Sequence, residues 1–378
     1  MINQSSEFVT NKKSHEEKIP RIRVLVVDDS ALVRKILVEG FNKDPQIEVI
    51  GAARDAFMAY DMIVRERPDV ITLDVEMPGM DGLAFLRKFI PEFPIPTIIV
   101  SSLTEKGKTI SLDALEAGAV DVVAKPKIGL IDGLSAMMDD LCIHVKHAAR
   151  AKVRHMLKTP GPVSSLSNSQ DNQGALPETT DRVIAIGASA GGVSALANIL
   201  PMFPAASPGI VIVQHMPADF TTGFAKRLDS LSSMEVKEAA NGDRIRPGLI
   251  LLAPGGNHHM EVYRSGGEYR IALVSGPKVS GHQPSVDVLF RSVARQVGRN
   301  AIAALLTGMG EDGASGLLSI RMAGGRTVCQ DEETSVVWGM PGVAWKLGAA
   351  EVVLPLGEIP THIFYMLRYQ HASDLKPG

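Results

Sequence analysis

From residue 22 the chain alternates short apolar runs with longer amphipathic stretches. The pattern predicts strands at 24–27, 48–52, 70–73, 97–100 and 120–124, with helices at 31–41, 56–67, 83–89 and 109–117 between them. The strands are near-continuous Val, Ile and Leu rather than alternating, as expected where both faces of a sheet are covered. Strands separated by single helices point to a doubly wound parallel sheet. A fifth helix, from Leu134 to about His155, places Leu134, Met137, Met138, Leu141, Val145 and Ala148 at helical spacing.

The pattern then stops. Residues 159–174, Thr-Pro-Gly-Pro-Val-Ser-Ser-Leu-Ser-Asn-Ser-Gln-Asp-Asn-Gln-Gly, contain no aromatic residue and few apolar ones, the composition of a flexible linker. Alternation resumes with strands at 183–186, 209–213, 249–253, 271–274, 302–307 and 326–329. Ser285 followed by Asp287 caps a helix at 288–297, and 358–369 forms a last helix. This gives a disordered arm at 1–20, a first domain at 21–145, a linker at 146–181 and a second α/β domain at 182–370, doubly wound and mostly parallel.

Composition narrows the setting. Apolar residues make up 45% of the 378, enough for two cores, and a net charge of -3 leaves no electrostatic footprint for nucleic acid. Cys142 and Cys329 lie far apart in predicted core elements, so no disulfide framework is expected. The polar start and the lack of any apolar run near the roughly 18 residues of a membrane helix predict a cytoplasmic protein without membrane insertion.

The first half carries chemistry at its strand ends. Asp28 and Asp29 follow the first strand, Asp74 the third, Ser101 the fourth and Lys125-Pro126 the fifth. In an open parallel sheet these ends share one edge, so the residues converge. Clustered carboxylates repel one another and call for a hard cation such as Mg²⁺, while a lysine and a hydroxyl opposite suit phosphoryl oxygens. Phosphoryl transfer to Asp74 follows. Through Val26-Val-Asp-Asp-Ser, Thr72-Leu-Asp-Val-Glu-Met-Pro-Gly-Met-Asp-Gly, Val100-Ser-Ser and Ala124-Lys-Pro, residues 22–145 resemble the receiver domains of two-component response regulators. The resemblance implies a flavodoxin-like five-stranded parallel sheet and Asp74 as phospho-acceptor. It also implies Asp29, Asp74 and the Glu76 carbonyl as Mg²⁺ ligands, Asp28 in the same acidic pocket, and Ser101 and Lys125 as phosphate sensors. Many receivers carry an aromatic switch residue where this chain has Val122.

In the second half, Val183–Ile186 runs into Gly187-Ala188-Ser189-Ala190-Gly191-Gly192, a G-x-S-x-G turn that would lift a serine hydroxyl between a strand and a helix. Read instead as a dinucleotide fingerprint, the turn should be followed by an acidic residue at the next strand end; that strand ends in Gln214-His215. A histidine there suits a general base, and a second glycine-rich turn, after the strand at 302–307, offers Asp312 to orient it. The order Ser, His, Asp differs from that of α/β-hydrolases. No basic recognition helix for DNA is present in 182–378. His258 and His259, being adjacent, point to different sides with no acidic or cysteine cluster around them, so a groove loop is a better reading than a metal site.

Ile186-Gly-Ala-Ser-Ala-Gly-Gly, Val213-Gln-His-Met-Pro, Leu252-Ala-Pro-Gly-Gly-Asn-His, Leu306-Thr-Gly-Met-Gly-Glu-Asp-Gly-Ala and Val337-Trp-Gly-Met-Pro-Gly make residues 182–370 resemble the chemotaxis protein-glutamate methylesterases of the CheB family. The resemblance implies Ser189 as nucleophile, His215 as base and acid, Asp312 as orienting carboxylate, and the Met309 N–H as an oxyanion donor. It implies demethylation of glutamate esters on chemoreceptors, deamidation of receptor glutamines, and a chemotaxis histidine kinase as phosphodonor. Ala190 stands where many members have threonine.

Overall fold

The computed structural model describes residues 20–102, 104–126, 130–153 and 181–369. The expected arm and most of the expected linker lie outside the described residues. No helix among those described is long and apolar enough to cross a membrane.

The first half forms β1 (Ile22–Val27), α1 (Ala31–Phe41), β2 (Ile47–Ala53), α2 (Ala56–Glu66), β3 (Val70–Leu73), α3 (Gly82–Phe89), β4 (Thr97–Ser101), α4 (Glu105–Glu116), β5 (Asp121–Ala124) and α5 (Leu130–Ala148). Its strands pair in parallel in the order β2-β1-β3-β4-β5, the flavodoxin-like order. Side chains of Ser30, Asp55, Asp81 and Thr104 cap α1 to α4, which fixes where each strand-end loop stops. Helix α4 begins at Glu105, a turn before the expected start, because the Thr104 cap lies ahead of its apolar residues. Helix α5 ends at Ala148 rather than near His155, and Lys152 N–H already donates to Val336 O in the second half.

The second half comprises β6 (Val183–Ala188), α6 (Gly192–Ile199), β7 (Gly209–Gln214), α7 (Ala218–Leu231), β8 (Glu235–Glu238), β9 (Leu249–Leu252), β10 (His259–Ser265) and β11 (Glu268–Val274). It continues through α8 (Val286–Gln296), β12 (Ala301–Leu305), α9 (Ala314–Met322), β13 (Arg326–Gln330), α10 (Met340–Lys346), β14 (Val352–Leu354) and α11 (Ile359–Arg368). Seven strands pair in parallel as β14-β13-β12-β6-β7-β9-β8. Alternate residues sort to opposite faces. Ile184, Ile186, Ile210 and Ile212 join the core under α6, α7 and α11, whereas Val183, Ala185, Val211 and Val213 join the one under α8, α9 and α10. The run expected as a sheet strand at 271–274 lies elsewhere: β11 pairs antiparallel with β10 as a separate two-stranded ribbon.

Chain order in this sheet runs outward from β12 through β13 to β14 on one side and from β6 to β7 on the other, beyond which β9 lies inside β8. That makes the carboxyl edge of β6 and β12 a topological switch point, where the two following loops diverge and leave a crevice.

Candidate functional site

At the carboxyl edge of the first sheet, Asp28, Asp29 and Asp74 bring carboxylate oxygens within 4.8 Å of one another. Lys125 Nζ lies 2.7 Å from Asp28 Oδ2 and 2.6 Å from Asp74 Oδ2. Burial pushes the Asp74 carboxyl above its ordinary range and Asp28 adds to this, with Lys125 opposing both. Lys125 is itself buried, yet the two carboxylates outweigh that and hold it protonated. One lysine among three carboxylates leaves uncompensated negative charge, and an all-oxygen donor set of this kind suits Mg²⁺. Ser101 is fully buried, its hydroxyl bonded to Ser102 O at 3.2 Å. The Glu76 side chain accepts from Ser102 and Thr104 at the start of α4. Val122 is buried on β5.

Ser189 stands in the turn between β6 and α6. Helix α6 is capped by Gly191 at φ 76°, with no side-chain cap, so Ser189 is not a helix cap. Its backbone N–H donates to Thr307 O at 3.0 Å, and Gln214 Nε2 donates to the carbonyls of Ser189 at 2.8 Å and His215 at 2.9 Å. One buried amide thus ties the serine turn to the histidine turn. At Gly308 a Cβ would lie 2.8 Å from that of Ser189, so only glycine lets the Met309 loop pass this close.

His215 follows β7, and its Nε2 lies 2.9 Å from Asp312 Oδ2 in the turn after β12. Asp312 is completely buried. It also accepts Ser285 Oγ at 2.7 Å, Val286 N–H at 2.7 Å and Asp287 N–H at 3.1 Å, all at the amino end of α8. Burial alone would raise its carboxyl, but the His215 hydrogen bond and these donors outweigh that and hold it below the usual range. An ionised carboxylate only accepts, so Nε2 carries the imidazole proton. His215 Nδ1 is buried without a hydrogen-bond partner. The expected serine–histidine hydrogen bond is therefore not made in this conformation.

Sequence reasoning missed His282. Its ring stacks on His215 with centroids 3.8 Å apart and planes 11° apart. Burial, then the facing His215, push its pKa down to about 3, so a neutral ring backs the imidazole. The signal was the glycine-flanked turn Gly281-His282-Gln283-Pro284 directly before the Ser285 cap.

These residues line a cleft of about 950 Å³ shared by both halves: Ser189, His215 and Met309 on one wall, Val122 and His144 on the other. The halves are tied by the Gly191 N–H to Val120 O hydrogen bond at 3.1 Å, two residues beyond Ser189. Arg227 of α7 pairs with Asp113 and Glu116 of α4, and Lys278 with Asp140 of α5 at 3.8 Å. Leu112 of α4 packs on Gly223 of α7, where a Cβ would sit 3.2 Å away.

A family model described as CheB methylesterase matches residues 184–363, and one described as response regulator receiver domain matches residues 24–131. The protein-glutamate methylesterase/protein-glutamine glutaminase of Syntrophotalea carbinolica is 54% identical over 347 residues, covering 92% of this chain and 98% of the relative. The one from Sulfurimonas denitrificans is 50% identical over 347 residues, with the same coverage of 92% and 98%. A Pseudomonas aeruginosa protein of the same name, numbered 2, is 52% identical over 339 residues, 89% of this chain and 95% of its own. Identity at that level over nearly the full length of its relatives means that the chain belongs to the CheB family of protein-glutamate methylesterases, with a receiver domain ahead of the methylesterase domain.

Proposed function

We propose that this chain hydrolyses methyl esters of glutamate side chains on chemoreceptors, releasing methanol, and deamidates receptor glutamines, and that phosphorylation of Asp74 switches it on. The observation that carries the reading is the 2.9 Å contact from His215 Nε2 to the buried Asp312, in the same cleft as Ser189. Ser189 Oγ attacks the γ-carbonyl while His215 Nδ1 takes its proton. The same nitrogen returns that proton to departing methanol, or to ammonia from a glutamine, and water then cleaves the acyl-enzyme. Asp312 keeps the proton of the resting imidazole on Nε2 and stabilises the imidazolium. The Met309 N–H stabilises the oxyanion, a donor worth about 3 kcal/mol in the transition state. No metal takes part in this half.

In the receiver, Asp28, Asp29, Asp74 and the Glu76 carbonyl would hold Mg²⁺, which when bound would supply positive charge to offset that of the carboxylates and the phosphoryl oxygens. Lys125 and Ser101 receive the phosphoryl oxygens. Asp74 is the phospho-acceptor, and a chemotaxis histidine kinase supplies the group. The protein works in the cytoplasm, without nucleic acid and without entering the membrane. While unphosphorylated, the receiver stands across the cleft and keeps the receptor from Ser189; the Gly191 to Val120 bond and the Arg227 pairs support that reading.

The test is release of labelled methanol from methylated chemoreceptor membranes, with and without a small phosphodonor and Mg²⁺. The intact chain should release methanol and be stimulated by the donor, Ser189→Ala should be inactive, and Asp74→Asn should lose the stimulation only. No methanol from the donor-treated intact chain would overturn the reading.

A further inference from the structure

His259 heads β10 and is 3% exposed, yet the acyl transfer does not use it and it does not line the cleft. Its Nε2 lies 2.9 Å from Pro277 O, and Ser285 N–H donates to its Nδ1 at 3.1 Å. A carbonyl accepts and an N–H donates, so the two partners fix the tautomer with hydrogen on Nε2. Ser285 in turn donates its hydroxyl to Asp312 Oδ1 at 2.7 Å and accepts Val288 N–H at 3.3 Å as the α8 cap. A continuous chain of hydrogen bonds therefore runs from Pro277 through His259, Ser285 and Asp312 to His215.

We propose that His259 is a positioning residue for the triad: it fixes the amino end of α8 against Asp312 and thereby the aim of His215. The inference rests on the catalytic reading of Ser189, His215 and Asp312. The physical need is specific. The N–H of an N-cap residue has no partner inside its own helix, and here it is buried. Without an acceptor from β10, the Ser285 backbone would turn toward one elsewhere, and the three α8 donors that grip Asp312 would turn with it. Only the acceptor atom matters, not the ring. In asparagine the carbonyl oxygen stands the same number of bonds from Cβ as Nδ1 does, whereas leucine fills the space and offers no acceptor.

The full chain, activated with phosphodonor and Mg²⁺, would be assayed for methanol release across a range of receptor concentrations, beside rates of Ser189 labelling by a fluorophosphonate. His259→Leu should lower kcat by about 10-fold to 100-fold with KM unchanged, the size expected when a catalytic group is misaimed, and labelling should slow in step. His259→Asn should restore most of the loss. Ser285→Ala should reproduce the kcat defect, and the double variant should be no worse than the poorer single one, because both act through Asp312. Wild-type kcat in His259→Leu, a change in KM alone, or His259→Asn no better than His259→Leu would overturn the proposal. Should His259→Leu melt below the assay temperature, His259→Asn and Ser285→Ala decide on the same readouts. Failure of the underlying reading looks different: the unmodified chain releases no methanol, or Ser189→Ala matches it.

Discussion

Asp312 is a fully buried carboxylate that four donors hold in one orientation, which makes it the least replaceable residue of the candidate site. An amide in its place turns two N–H groups toward those donors and frees the imidazole tautomer. Asp312→Asn is expected to lower kcat by about three to four orders of magnitude, the scale of the equivalent change in serine proteases, with a lower Tm. Methanol release and a thermal melt on one preparation check both, and a variant with ordinary kcat would remove Asp312 from the mechanism. At this scale much was legible in the sequence. Ser189 and His215 directly follow strands, Asp312 sits in the turn after a third, and the carboxyl ends of a parallel sheet share one edge. Which imidazole nitrogen faces Asp312 was not legible, nor were the parts of His282 and His259. Those depend on how the segment from Gly276 to Pro284 folds back on two turns distant in sequence, and no local periodicity encodes such a path.

Elements with a strong local signal came through, and those defined by their neighbours did not. Ser285 caps α8 as its spacing suggested, and the apolar runs of β6, β7 and β12 are the central strands. Missed were β10, the ribbon partner of β11, and two sheet strands: β8, whose Glu235-Val-Lys-Glu reads as loop, and β14, only three residues at the opposite edge. Edge strands bury little, so their sequences need no apolar run. The run at 271–274 was seen but placed in the wrong sheet, since a strand pattern does not name its partner. On the receiver side, α5 is pinned to β5 by His144 Nδ1 and Asp121 Oδ2 at 2.7 Å. Burial alone would lower the His144 pKa, but Asp121 outweighs it and the value is raised. A raised histidine contributes stability that is complete below its unfolded value of about 6.5 and disappears as pH climbs through the folded value. The Tm difference between the intact chain and His144→Asn should therefore be largest near pH 6 and shrink toward pH 9. A difference that grew with pH would contradict this charge assignment.

Across the whole molecule, α4 runs from the turn beside Asp74 to the second half. Thr104 caps its amino end and donates to Glu76, two residues past Asp74, at 2.9 Å, while Ser101 leads into the same turn. Its other end carries Asp113 and Glu116, which grip Arg227 on α7. A phosphoryl group that draws Ser101 and Lys125 toward Asp74 would tug one end of a helix whose far end holds the second half in place. The ion pairs are about one-third exposed, so each is worth only about 0.5–1 kcal/mol. That suits a latch: losing roughly 1 kcal/mol shifts a docked–released equilibrium about fivefold. Arg227→Glu turns attraction into repulsion and is expected to raise methanol release by the unphosphorylated chain several-fold, leaving the donor-stimulated maximum unchanged. Raising ionic strength should act in the same direction on the intact chain and weakly on the variant. Arg246→Glu, which breaks an exposed pair with Glu235 inside the second half, serves as the control and should leave the unstimulated rate alone. If Arg227→Glu instead released methanol no faster than the intact chain without donor, the hold on the cleft would have to come from the Gly191–Val120 bond and the apolar packing around Leu112, and α4 would lose its role as the link.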